Sequence, residues 1–184
     1  RALRTLAEVG LLDRRRKAGT RVALHPVRKA TLSIPLIRSE IEASGKSYGY
    51  HLLSQQTEPA PAPVTQKFAL ANNTQLLHVV ALHEADGDPF VIEDRWINSS
   101  IMPHLVDVSF AELSANEWLL QNTPFTHGDI DFGAKNASQR EAELLATKPD
   151  KALFVISRTT WDQTTAVTMV ELVFHAGHRK HTRL

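Results

Sequence analysis

The residues best suited to ligand chemistry lie between Phe90 and Asn98, where polar and apolar residues alternate as in a β-strand. Glu93 and Arg95 are two residues apart, so their side chains share one face of that strand, and Asn98 follows at its end. A guanidinium grips a carboxylate or phosphate through two parallel hydrogen bonds. The pair therefore predicts a site for a small acid that also carries an amine or hydroxyl. The alternative is a cross-strand salt bridge that only holds the sheet.

The start of the chain is chemically distinct because it is strongly basic. Residues 1–29 hold nine Lys and Arg against two acids, a net charge of +7, whereas residues 30–184 hold twelve against eighteen, a net charge of −6. A basic head on an acidic body predicts that the head contacts a polyanion. A solvated basic tail is the alternative explanation from charge alone.

The composition of the 184 residues excludes several other chemistries. There is no cysteine, so disulfides, thiolate metal sites and cysteine nucleophiles are excluded, and a reducing, cytoplasmic location is expected. His175, His178 and His181 are spaced by three, but zinc requires three or four converging ligands, and we predict no metal and no cofactor. The chain shows no nucleophile elbow, phosphate-binding glycine loop or HExxH motif, which favours a protein that is not an enzyme.

The basic residues are carried by three predicted elements. Leu3, Leu6 and Ala7 form the apolar stripe of a helix that ends at Gly10. Residues 11–24 predict a hairpin of two short strands joined by a basic turn. The polar residues 25–34 predict a linker.

The body of the chain predicts interspersed helices and strands. A helix follows Pro35 and ends at Gly45, and capping boxes at Ser114 and Ser138 begin two more helices. Residues 58–63 predict a stiff connector and 64–70 a short helix. Strands are predicted at 48–56, 76–84, 90–97, 125–134, 151–161 and 165–175. Because the clear strand pairs are hairpins, the pattern favours an antiparallel α+β sheet over a doubly wound parallel one.

Three segments near the start resemble the end of a GntR-type winged helix-turn-helix. They are Arg1-Ala2-Leu3-Arg4-Thr5-Leu6, Glu8-Val9-Gly10-Leu11-Leu12 and Gly19-Thr20-Arg21-Val22. The resemblance implies that residues 1–24 are the end of a recognition helix and the wing of an incomplete DNA-binding domain. The DNA-binding residues that it implies are Arg1, Arg4, Arg14, Arg15, Arg16, Lys17, Gly19 and Thr20.

The remainder resembles the UTRA effector-binding domain of the subfamily that includes histidine-utilisation repressors. The residues that carry this resemblance are Ile92-Glu93-Asp94-Arg95-Trp96-Ile97-Asn98, Pro103, Arg158-Thr159-Thr160-Trp161, Val167-Thr168 and His175-Ala176-Gly177-His178-Arg179. The resemblance implies a chorismate-lyase-like α+β fold over residues 35–184, a mostly antiparallel sheet with flanking helices. It also implies that this domain binds a small-molecule effector and forms a homodimer.

The resemblance further implies which residues line the effector pocket. They are Ser33, Arg38, Tyr50, Glu93, Arg95, Asn98, Asp131, Phe132, Thr168 and Glu171. Thr168 and Glu171 lie on opposite faces of the last strand by parity, so one of them is expected to reach the pocket. Residues 129–134 lack the histidine and second glutamate that histidine-utilisation repressors tend to show there.

These observations together predict a DNA-binding transcriptional regulator, a repressor that changes its operator binding when it binds an effector such as urocanate or histidine. Sugar phosphates and other small acids are further effector candidates. One alternative is a chorismate-lyase-like enzyme, since the fold does not set the function. Another is a ligand-binding or dimerisation module that does not bind DNA. Loss of DNA binding on adding a metabolite favours the regulator, and product formation favours the enzyme.

Overall fold

The computed structural model describes residues 12–15, 19–22 and 36–180. The chain divides into two compact units, residues 1–35 with 182–184, and residues 36–181. In the first unit, β1 (Leu12–Arg15) pairs antiparallel with β2 (Gly19–Val22), as the predicted hairpin requires. The helix predicted at residues 1–9 and the linker predicted at 25–34 lie outside the described residues.

The second unit is built on a six-stranded sheet in which every neighbouring pair is antiparallel. The strand order is β3-β4-β5-β8-β7-β6. The strands are β3 (Tyr48–Pro59), β4 (Gln75–Ala85), β5 (Asp88–Ile97), β6 (His127–Asn136), β7 (Ala152–Asp162) and β8 (Thr165–Phe174). The prediction of an antiparallel α+β fold is thus confirmed.

Four short helices flank this sheet. They are α1 (Ile37–Ala43), α2 (Ala62–Lys67), α3 (Ala115–Asn122) and α4 (Gln139–Leu144), and two 3₁₀ turns occupy Ser99–Ile101 and Pro103–Asp107. The predicted capping box is complete at α4, where Ser138 and Glu141 satisfy each other's backbone N–H groups. At α3 the Ser114 side chain accepts a hydrogen bond from the Glu117 N–H, and the Glu117 carboxylate also accepts a hydrogen bond from Arg38.

The strand period of two gives the sheet a front face, which carries Arg95, and a back face, which carries Asp94. On the front face, Ile37 and Ile41 of α1 pack in one apolar cluster with Val91 and Phe174. The first residues of α3 pack in a second front cluster, and the back face is covered by apolar residues of α2 and α4. The polar front-face residues between α1 and α3 are therefore enclosed within the domain.

Within the described parts of the chain, no helix has both the length and the apolar content needed to cross a bilayer.

Candidate ligand-binding site

Glu93 and Arg95 form a buried ion pair on the front face, and each side chain is 1% exposed. Arg95 Nε donates to Glu93 Oε1 at 2.5 Å, and Arg95 Nη1 donates to the Thr168 hydroxyl at 3.2 Å. The predicted pairing of these residues on one strand face is therefore observed. Because this ion pair is buried, the small contribution to folding stability that is typical of exposed salt bridges does not apply to it.

The Glu93 carboxylate has a second partner, His83. Its Oε2 lies 2.9 Å from His83 Nε2, and the His83 Nδ1 lies 2.8 Å from the Tyr48 hydroxyl. Burial alone opposes ionisation of Glu93, but the charge of Arg95 and the hydrogen bond from His83 outweigh it and hold the pKa of Glu93 well below its usual range. Glu93 is therefore a charged group with both oxygens engaged.

Arg158 brings a second guanidinium to the same cluster from β7, two strands away from Arg95. It is buried, and its Nη2 donates to Asn116 Oδ1 at 2.5 Å. Burial first, and the like charge of Arg95 second, lower the pKa of Arg158 to about 9. No carboxylate pairs with Arg158 among residues 36–180, so two cationic groups share the single charge of Glu93.

Two polar atoms at this cluster are buried and have no hydrogen-bond partner in the described structure, namely Arg158 Nε and the Tyr50 hydroxyl oxygen. The Tyr50 ring lies edge-on to His83 with the ring centroids 5.2 Å apart. Burial raises the pKa of Tyr50, so its phenol stays protonated and can donate. Buried groups of this kind normally have partners, so both atoms are candidates to contact another molecule.

The first turn of α3 joins the cluster to α1. The side-chain amide oxygen of Asn116 accepts a hydrogen bond from Arg158 and another, at 3.1 Å, from Arg95 Nη2. The next residue, Glu117, accepts from Arg38 Nε at 2.7 Å, and the Arg38 guanidinium lies 4.3 Å from the centre of the Tyr48 ring. A continuous chain of contacts thus runs from the buried guanidiniums to α1.

Four of the residues predicted for the effector pocket converge in this cluster: Tyr50, Glu93, Arg95 and Thr168. Arg38 lies one contact further out, through Glu117. Asn98 is buried but donates from Nδ2 to the Ala166 carbonyl at 3.0 Å, so it ties the end of β5 to β8.

Three predicted residues are not brought to the cluster. Glu171 lies on the back face, where it accepts from Lys135 Nζ at 2.6 Å, and Asp131 is exposed on the same back face of β6. Phe132 lies on the front face of the edge strand but is 52% exposed and stacks on Phe154. Strand parity and the position of β6 at the edge of the sheet therefore place these three residues away from the front-face cluster.

The predicted DNA-binding residues fall partly on the described hairpin. Arg14 pairs with Thr20 and Arg15 with Gly19 across β1 and β2. Arg1, Arg4, Arg16, Lys17 and the pocket candidate Ser33 lie outside the described residues.

The sequence analysis did not nominate Tyr48, His83, Asn116 or Arg158 for the site. Arg158 had a usable signal, since it begins the Arg158-Thr159-Thr160-Trp161 segment that carries the family resemblance, but the strand pairing that places it near Arg95 is given only by the structure. Asn116 had none, because a helix after an irregular loop has no fixed register against the sheet. Within the described residues, no three His, Asp or Glu side chains are placed to hold a metal ion. The two buried guanidiniums of Arg95 and Arg158 are groups that can bind an anion.

Comparison with known proteins gives one matching family and several similar chains. The model of the UTRA domain matches residues 43–179. The histidine utilization repressor of Pseudomonas putida is 30% identical over 179 residues, which cover 97% of this chain and 72% of that protein. The probable fructoselysine utilization operon transcriptional repressor of Escherichia coli (strain K12) is 26% identical over 184 residues, with 97% and 74% covered.

Solved structures share the fold. The C-terminal domain of histidine utilization repressor from Pseudomonas syringae pv. tomato str. DC3000 superposes with a TM-score of 0.70 at 24% identity, covering 75% of this chain and 99% of that one. PhnF from Mycobacterium smegmatis gives a TM-score of 0.73 at 21% identity, covering 98% and 80%.

Proposed function

We propose that this chain, which belongs to the UTRA domain family and is a GntR-type transcriptional regulator and not an enzyme, binds a small anionic effector through its buried Arg95 and Arg158. Binding of that effector changes the affinity of the regulator for its operator. The relatives named as repressors support a repressor role.

One observation carries this proposal: the front-face cluster has more buried positive charge and more hydrogen-bond donors than its own acids satisfy. Among the described residues, Arg95 is paired with Glu93, whereas Arg158 contacts a neutral amide oxygen and its Nε has no hydrogen-bond partner. Leaving a buried donor unpaired costs about 1–3 kcal/mol, and more for a charged group. A carboxylate or phosphate of a ligand removes that cost, so the site is built for an acid.

The chemistry of the cluster narrows the effector further. Glu93 is fully engaged, so recognition of the acid falls to the two guanidiniums, while the Tyr50 hydroxyl offers one more donor to a polar group. The relatives named for histidine utilization make urocanate and histidine the first effectors to test. Sugar phosphates come next, since a phosphate also pairs with arginine.

The DNA-binding side of the proposal concerns the basic hairpin β1–β2 and the residues before it. We propose that Arg14 and Arg15 with Arg16 and Lys17 contact the phosphate backbone, and that a homodimer places two such heads on a two-fold operator. A protein with this role acts in the cytoplasm, where the operator is. Effector and operator binding are linked only if the effector prefers one arrangement of the dimer, typically by about 1–3 kcal/mol.

Calorimetric titration with urocanate, histidine and a set of sugar phosphates tests the effector site. Arg158→Met is expected to reduce the affinity for the effector by roughly 100-fold, because the ligand loses a bidentate charged partner. Arg140→Met, which removes an exposed guanidinium on α4, is the matched control and is expected to leave binding unchanged. Equal affinities of wild type and Arg158→Met would contradict the assignment of the site.

A further inference from the structure

We infer that Asn116 is an internal substitute for the effector: its amide oxygen fills the place between the two guanidiniums that an oxygen of the bound acid takes over. This inference rests on the proposed anion-binding function and specifies which group of the protein itself contacts the two guanidiniums. It assigns to Asn116 a role in setting effector affinity.

The hydrogen bonds around the two arginines single out Asn116. One oxygen, Asn116 Oδ1, accepts from Arg158 Nη2 at 2.5 Å and from Arg95 Nη2 at 3.1 Å. The two Glu93 oxygens accept from Arg95 and His83, and in the described structure Arg158 donates to Asn116 and not to Glu93. The amide therefore stands where an anion would bridge the guanidiniums, and it is itself 5% exposed.

An amide oxygen is a poor replacement for an acid at this place. It is neutral, and hydrogen bonds with an ionised acceptor are about twice as strong as neutral ones. It also accepts from one nitrogen of the Arg158 guanidinium, Nη2, and in the described structure the neighbouring Nε has no hydrogen-bond partner. A carboxylate has two oxygens and engages Nε and Nη2 of one guanidinium together. The effector thus competes with Asn116 for the same donors and satisfies one more of them.

The position of Asn116 in α3 connects this exchange to the rest of the domain. Asn116 is the second residue of the helix, directly before Glu117, whose carboxylate holds Arg38 of α1. When the Asn116 amide releases the arginines, the first turn of α3 loses these hydrogen bonds and keeps the contact between Glu117 and Arg38. We therefore expect the Glu117–Arg38 contact to change when the effector binds. Arg38 belongs to α1, which comes shortly after the linker predicted at residues 25–34.

The first test needs no ligand and uses the melting temperature of the 184-residue chain at neutral pH. Asn116→Asp places a carboxylate between the guanidiniums and is expected to raise the melting temperature by about 3 °C or more, since 1 kcal/mol corresponds to roughly 2–4 °C at this size. A new aspartate near a helix N-terminus is also favourable by itself. The same change is therefore made in an Arg158→Met background, where the gain is expected to shrink to that helix-end contribution.

Asn122→Asp at the exposed C-terminal end of α3 serves as the control and is expected to give no gain. An equal gain from Asn116→Asp with and without Arg158 would overturn the inference, whatever the effector proves to be.

The second test is calorimetric titration with urocanate. Asn116→Ala is expected to bind it up to about tenfold more tightly than wild type, because the competing oxygen is gone, and Asn116→Asp about 100-fold more weakly, because a fixed carboxylate holds the donors. Weaker binding by Asn116→Ala would mean that Asn116 only supports the pocket, and would overturn the inference. If wild type binds no urocanate, the choice of effector fails, and the melting cycle with Arg158 still decides the role of Asn116.

Discussion

The two faces of the sheet carry two polar clusters that are built on the same two strands, β4 and β5. The front cluster uses His83 of β4 and Glu93 of β5, whereas the back cluster uses His78 and Asp94. His78 lies between two acids, with Nδ1 2.6 Å from Glu58 Oε1 and Nε2 2.8 Å from Asp94 Oδ1. Its ring also stacks on Trp96 with the centroids 4.1 Å apart.

The clusters differ in whether their own members satisfy one another. On the back face two basic side chains each contact two acids: His78 contacts Glu58 and Asp94, and Lys135 contacts Glu141 and Glu171. These groups are partly exposed and line a groove of about 410 Å³. On the front face the buried Arg158 has no acid of its own in the described structure. The proposed ligand site therefore rests on unmet hydrogen-bonding capacity and not on the density of charged residues.

The largest expected difference between the faces is in stability. Arg95→Met leaves the Glu93 carboxylate buried beside a neutral group, and we expect the free energy of unfolding to fall by about 3–5 kcal/mol. Asp94→Asn, one residue away on the back face, is expected to cost less than about 1 kcal/mol. Urea unfolding followed by circular dichroism measures both, and the double variant Glu93→Gln/Arg95→Met should recover much of the loss. Similar losses in the free energy of unfolding for Arg95→Met and Asp94→Asn would contradict the expected difference between the two faces of the sheet.

A smaller effect of opposite sign is expected at Arg158. In the absence of effector this guanidinium is a buried charge without an acid, so Arg158→Met should leave the unfolding free energy unchanged or raise it by about 1–2 kcal/mol. Lys135→Met, which removes a doubly paired cation from the back face, should lower it by about 1 kcal/mol. Thermal and urea unfolding of both variants without ligand give the comparison. A clear loss of stability in Arg158→Met would show that the front cluster is already satisfied.

A pH-dependent effect is expected at His78. Burial lowers the pKa of His78, but hydrogen bonds and charge interactions with Asp94 and Glu58 outweigh this and raise it overall above 6.5. Its stabilising charge is therefore fully present below about pH 6.5 and is lost as the pH rises through the folded-state pKa. His78→Gln should cost about 1 kcal/mol at pH 6 and markedly less at pH 9. An equal cost at both pH values in urea unfolding would show that His78 contributes through packing on Trp96 instead.

The smallest effect is expected at Glu171. It lies on the back face and is partly exposed, so Glu171→Gln should change stability by about 0.5 kcal/mol and leave effector affinity unchanged. Thr168→Val, on the front face beside Arg95, should instead weaken effector binding severalfold, because Arg95 loses the hydroxyl that orients it. Calorimetric titration of the two variants compares them directly. Weaker binding by Glu171→Gln would place this residue with the pocket after all.

Local patterns in the sequence were sufficient for most of the fold. The two neighbouring strands predicted at 76–84 and 90–97 form the β4–β5 hairpin, and parity placed Glu93 and Arg95 on one face. The residues 58–63 were predicted as a connector, but β3 continues to Pro59, which pairs with Gln75. A proline fits there because β3 is an edge strand of the sheet.

The site itself could be predicted only in part, because it depends on strand order. Arg158 reaches Arg95 since β8 lies between β5 and β7, and a sequence does not state that order. Asn116 reaches both arginines from a helix whose docking on the sheet is set by apolar packing of Ala115 and Leu119. Asp131 and Phe132 were nominated from a resemblance in a segment that departs from the family pattern, and they lie on the exposed edge strand.

The way the front cluster is assembled has a consequence for folding kinetics. Its hydrogen bonds join residues far apart in the chain: Arg95 to Thr168 over 73 residues and Arg158 to Asn116 over 42. Contacts of this range form late, after the intervening loops have closed. An effector that binds this cluster thus recognises only the completed fold. It is expected to slow unfolding while leaving the folding rate nearly unchanged, which makes the lifetime of the folded protein depend on the metabolite it senses.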